Sequence, residues 1–139
     1  MNDKQIDEWI KFAKSNLSQA DRKRKPKDVL YEDLCFNCQQ CVEKSLKALL
    51  IYNNIEFPKT HSINLLLDLL ISNSIYIPDF VKNSVILNVY AVITRYPNDY
   101  NKITRNDYLE ALKITKDVFE WVIEIINKKN LFSNEKKEF

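Results

Sequence analysis

An all-helical fold is predicted by three features of the 139-residue sequence. The chain contains no glycine, and β-rich domains depend on glycine at hairpin turns and bulges. Its apolar residues recur at three- and four-residue intervals, the stripe of a helix rather than the alternation of a strand. Between the stripes stand Asn-Asn, Asn-Ser and proline. These end helices where glycine is missing, because asparagine tolerates the left-handed conformation and proline cannot continue a helix. The expected architecture is an antiparallel up-and-down bundle of four long helices plus one short helix. This length suits one domain, expected over 1–129, with a polar, fraying tail over 130–139.

The first helix is expected over 3–24. Ile6, Trp9, Ile10, Ala13, Leu17 and Ala20 form one apolar face. Asp3 and Asp7 suit the positive end of its dipole, Arg22 to Lys25 suit the negative end, and Pro26 stops it. The second helix, about 28–53, is the centre of the design, with Leu34, Cys38, Cys41, Val42, Leu46, Leu49 and Leu50 in its stripe. Asn53-Asn54 end it, and Pro58 forces the following stretch into a loop. A short third helix, about 62–72, starts with Thr60 or Ser62 as N-cap and buries Ile63, Leu66, Leu67 and Leu70.

Pro78 suits the first turn of a fourth helix, about 78–95, carrying Phe80, Val81, Val85, Leu87, Val89 and Val92. The Tyr96-Pro97-Asn98-Asp99 segment turns the chain. Thr104-x-x-Asp107 is a variant capping box. It opens a fifth helix, about 105–127, that packs Tyr108, Leu112, Thr115, Phe119, Val122 and Ile126.

Charge narrows function little, since 21 basic and 19 acidic residues leave a balance of +2 and only a local patch would matter. No apolar run reaches the ~18 residues of a membrane span, and Met1 to Gln5 has no signal-peptide character. A cytoplasmic protein without membrane contact is expected. Cys35-x-x-Cys38-x-x-Cys41 has the look of a metal motif, but on a helix each three-residue step turns the side chain back by about 60°. The three thiols then cannot easily meet at one ion, so buried packing cysteines are expected, with no metal and no cofactor. His61 is the single histidine and is expected to hydrogen-bond in a loop or cap.

Two places could hold a ligand. Arg22-Lys23-Arg24-Lys25 is the densest positive run and could meet nucleic-acid phosphates. It is also what a solvated helix end carries. Arg95-Tyr96-Pro97-Asn98-Asp99-Tyr100 sets a guanidinium, two phenol rings and a carboxylate around one turn. It could clamp a phosphate and stack a base, or lock the turn by an Arg–Asp pair.

Three patterns in order, Gln39-Gln40-x-x-Glu43-Lys44-x-x-Lys47-Ala48, Glu56-Phe57-Pro58-Lys59-Thr60-His61 and Thr94-Arg95-Tyr96-Pro97-Asn98-Asp99-Tyr100, resemble the HEPN family (higher eukaryotes and prokaryotes nucleotide-binding domain). The resemblance implies a helical bundle that forms a two-fold homodimer. It also implies a partnership with a minimal nucleotidyltransferase, often as a toxin–antitoxin pair. Many members are metal-independent ribonucleases that use an arginine followed, after four to six residues, by a histidine. Here Arg95 is followed at that distance by Tyr100, no histidine lies downstream, and Asn37 stands where the family tends to have histidine.

The expectation is therefore a non-catalytic module that binds a nucleotide, RNA or a protein partner. Arg95, Tyr96, Asp99 and Tyr100 form its candidate site, with Lys44 and Lys47 as phosphate contacts. The alternative is a ribonuclease toxin with a degenerate site, in which Arg95 and Tyr100 serve as cation and proton donor.

Overall fold

The computed structural model describes residues 2–93 and 102–137, with side chains as far as Lys128. It is helical throughout, with no strand among the described residues. The helices are α1 (Asp3–Ala20), α2 (Tyr31–Tyr52), α3 (Ile63–Ser72), α4 (Asp79–Lys82), α5 (Asn88–Ile93) and α6 (Arg105–Lys137), with a 3-10 segment, Asn83–Leu87, joining α4 to α5. They form an antiparallel bundle. None of the described helices is long and apolar enough to cross a membrane.

α2 is the central rod and touches α1, α3, α5 and α6. Every residue of its expected stripe is buried, and so are Cys35, Ala48 and the polar Gln39, Glu43, Ser45 and Lys47. Burying a leucine such as Leu46, Leu49 or Leu50 contributes about 1.5–3 kcal/mol each. α3 buries the four residues its stripe predicts. α1 is shallower: Ile6, Ala13 and Ala20 are buried, while Trp9, Ile10 and Leu17 are half-buried against the core.

The helix ends follow from local chemistry. Asn54 closes α2 in the left-handed region with φ 58°, as expected of asparagine in place of glycine. At the end of α3 the left-handed residue is Ser74, φ 65°, rather than Asn73. Ser62 caps α3, its hydroxyl accepting from Leu65 N at 3.3 Å. The capping box of α6 forms both its bonds, Thr104 N to Asp107 Oδ2 at 2.9 Å and Asp107 N to Thr104 Oγ1 at 3.1 Å.

Three expectations about elements are corrected. α1 stops at Ala20, four residues early, because Tyr108 of α6 intervenes. Its hydroxyl donates to Ala20 O and accepts from Arg22 N, supplying from outside the bonds another helical turn would have made. The expected fourth helix is broken into α4, the 3-10 segment and α5. Asparagine, serine and β-branched residues dominate there and favour helix weakly, and the Ser84 hydroxyl bonds to Val81 O at 2.6 Å. The break changes the angular phase, so Leu87 is buried but Val89 and Val92 are exposed; before it, Val81 is buried and Phe80 exposed. α6 continues to Lys137 rather than ending at 127, since neither proline nor glycine interrupts that stretch.

Candidate functional site

The described part of the site is a polar cluster inside α2 and the loop that follows it. Gln39, Glu43 and Lys47 stand four residues apart, one turn above another, on one face of the helix. All three are buried. Glu43 Oε2 lies 3.0 Å from Lys47 Nζ, with side-chain exposures of 2% and 7%. Oε1 lies 3.0 Å from His61 Nδ1 and 3.4 Å from Gln39 Nε2. Gln39 Nε2 also donates to His61 O at 3.1 Å, and Gln40 Nε2 donates to Gln39 Oε1. An interior carboxylate is tolerable only when matched and hydrogen-bonded, and Glu43 has one matching cation and further donors.

Lys47 is held from its other side by rings. Its Nζ lies 5.2 Å from the Trp9 centroid and 5.9 Å from that of Phe57, within cation–π range. Those two rings meet edge-on at 6.3 Å. The same rings, with Phe12, Glu8 and Glu56, wall an open cleft of about 890 Å³ between the start of α1 and the end of α2. Lys47 is therefore a cation of the interior, only 6% exposed, and not placed as a phosphate contact. Lys44 is half-buried, donates to Asn16 Oδ1 at 2.7 Å and sits 5.9 Å from the Phe12 ring. Asn16 in turn donates to Asn37, so these polar residues join α1 to α2.

Arg95, Tyr96, Asp99 and Tyr100 lie outside the described residues. Ile93 before that stretch and Ile103 after it are both buried, with Ile103 N donating to the buried Glu32 carboxylate. In the basic run, Arg22, Lys23 and Arg24 are exposed in a loop rather than on a helix end. Lys25 is turned inward, its Nζ donating to Val29 O at 2.6 Å and lying 5.0 Å from the Tyr31 ring. Asp21 pairs with Lys116 at 3.0 Å.

All three cysteines are buried and free. Burial first, then the neighbouring Cys38, pushes the Cys35 thiol up to about 12, and burial does the same for Cys41. Burial raises Cys38 to about 11, with a hydrogen bond to Thr115 opposing it. None is a reactive thiolate near neutral pH.

The Glu43–His61 contact is the feature that sequence reasoning missed. Its partners are 18 residues apart, beyond any local motif. The available signal was a Glu–Lys pair at i, i+4 inside a helix with apolar residues on every side.

Gln39 and Glu43 thus clamp the loop between α2 and α3 within the helical bundle. The HEPN domain profile matches residues 6–129, and the chain belongs to the HEPN family. It is 29% identical to "Putative toxin MJ1304" of Methanocaldococcus jannaschii, over 86% of this chain and 91% of that protein. The crystal structure of TT1696 from Thermus thermophilus superposes with a TM-score of 0.70 at 29% identity, covering 89% of this chain and 98% of the other. That of ST0689, an archaeal HEPN homologue, gives 0.65 at 29% identity over 87% and 97%.

Proposed function

We propose that the chain is a HEPN binding module that takes a nucleotide or RNA, acts with a minimal nucleotidyltransferase partner in a toxin–antitoxin pair, and does not itself cleave RNA. The observation that carries this reading is a HEPN match over 6–129 in a sequence whose single histidine, His61, precedes Arg95. Proton transfer near neutral pH is best served by a group of pKa near 7. Tyr100, with a reference pKa of about 10, is a poor base there. The similarity to a protein named for toxin activity supports the toxin–antitoxin setting.

A homodimer in the cytoplasm belongs to the same reading. The exposed Ile86 and Val89 leave apolar surface that supports self-association. Sedimentation at micromolar concentration should then give twice the 16.5 kDa of one chain.

Arg95 tests the ligand site. A guanidinium grips a phosphate through two parallel bonds that an ammonium cannot copy. Arg95→Lys should weaken binding of a fluorescent ATP analogue or a short RNA, read by anisotropy, with the thermal midpoint nearly unchanged. A lower midpoint, with binding lost only through unfolding, would remove Arg95 from the site. The toxin name of the relative also favours a second reading, a ribonuclease using Arg95 and Tyr100. RNA cleavage by the isolated chain separates the two.

A further inference from the structure

His61 is the sole histidine of the chain, and it is oriented more tightly than a solvent-facing loop residue needs to be. Its Nδ1 lies 3.0 Å from Glu43 Oε1, yet the ring is 65% exposed where Glu43 is 2% exposed. Its carbonyl is held by Gln39. A carboxylate only accepts hydrogen bonds, so the proton of the neutral ring sits on Nδ1, and Nε2 is an acceptor. Lys47 holds the other oxygen of Glu43, which keeps the carboxylate in place behind the ring.

His61 lines a cleft of about 390 Å³ together with Thr60, Ser62, Asn88, Ala91 and Val92. Thr60 Oγ1 accepts from Ser62 N, and Ser62 Oγ accepts from Leu65 N. Each hydroxyl hydrogen is thereby left to donate elsewhere. Asn88 is already used, accepting from Ile63 N and donating to Asn64. The polar residues that line the cleft thus include one histidine acceptor and two hydroxyls. Ala91 and Val92 are its apolar lining, and no Lys, Arg, Asp or Glu lines it among the described residues.

We propose that this cleft binds the nucleoside part of a ligand, with His61 Nε2 accepting from a ribose hydroxyl, the Thr60 and Ser62 hydroxyls donating, and the base lying against Ala91 and Val92. Its volume lies in the range of small-molecule sites. The inference rests on the nucleotide-binding reading above and assigns the nucleoside to His61 and its neighbours.

NMR of the full chain labelled with nitrogen-15 histidine tests it, because one histidine gives one pair of ring signals. At a pH where the ring is neutral, Nδ1 should be protonated and Nε2 should not. The double variant Glu43→Leu, Lys47→Met, which removes the acceptor and its buried cation together, should lose that preference. Uridine should shift the Nε2 signal saturably, and Val92→Asp, a change at a surface residue, should weaken uridine about tenfold, or 1.4 kcal/mol. A proton on Nε2 in the wild type, a tautomer unchanged in the double variant, a uridine affinity unchanged by Val92→Asp, or a silent Nε2 under saturating uridine would overturn the site. Ribose or inorganic phosphate alone matching the uridine shift would overturn the nucleoside assignment. Anisotropy-detected ATP binding with a silent His61 would overturn this site and leave the binding-module reading standing. No binding in either assay would remove both.

Discussion

Two carboxylates on two helices show opposite ways of using one functional group. Asp107, at the start of α6, is at the surface and, among the described residues, bonds within its own turn, to Thr104 three residues away. Glu43, in the middle of α2, is buried and holds a lysine of its own helix and a histidine from the next loop. The first stabilises a helix end; the second ties an element to its neighbour. Water screens the first and is excluded from the second, so the consequences of breaking them differ in size and in pH dependence.

The largest effect is expected at Lys47. Lys47→Met keeps the apolar stem against Trp9 and Phe57 but leaves Glu43 without its cation. Breaking a buried pair from one side costs about 3–5 kcal/mol, read as a fall in the urea midpoint. Adding Glu43→Gln to that variant removes the stranded charge and should recover a large part of the loss. A Lys47→Met protein as stable as the parent would show that the interior pair carries no weight.

A smaller effect is expected at Asp107. The hydrogen bonds of Thr104, first from its backbone N–H and then from its side chain, lower the Asp107 pKa below its ordinary 3.8. A lowered pKa in the folded state means that the ionised carboxylate stabilises the fold above that ordinary value, and that this gain disappears as pH falls through the lowered one. Asp107→Asn should therefore lower the thermal midpoint slightly at neutral pH. The gap from the parent should close on acidification, and a gap independent of pH would break the assignment.

The same contrast explains what could be read in the sequence. The capping box is a local pattern, its ends three residues apart, and it was legible. So were the stripe of α2, whose residues are all buried, and the stop at Asn54. Periodicity failed between Pro78 and Ile93, because a stripe predicts a face only while the helix keeps its phase. The 3-10 segment changes that phase, and Val89 and Val92 turn outward. The early end of α1 depends on Tyr108, 88 residues from Ala20, and no local rule could anticipate it. Among the candidate ligand residues, Lys44 and Lys47 read as surface charges because lysine usually is one. In the bundle, both instead join α2 to α1, through Asn16, Phe12 and Trp9.

Incubation of the purified chain with RNA in the absence of metal tests the central functional claim most directly. The proposed binding module should leave the RNA intact over many hours, while anisotropy shows that nucleotide or RNA is bound. Robust cleavage that disappears in Arg95→Ala would contradict it and establish the ribonuclease reading instead.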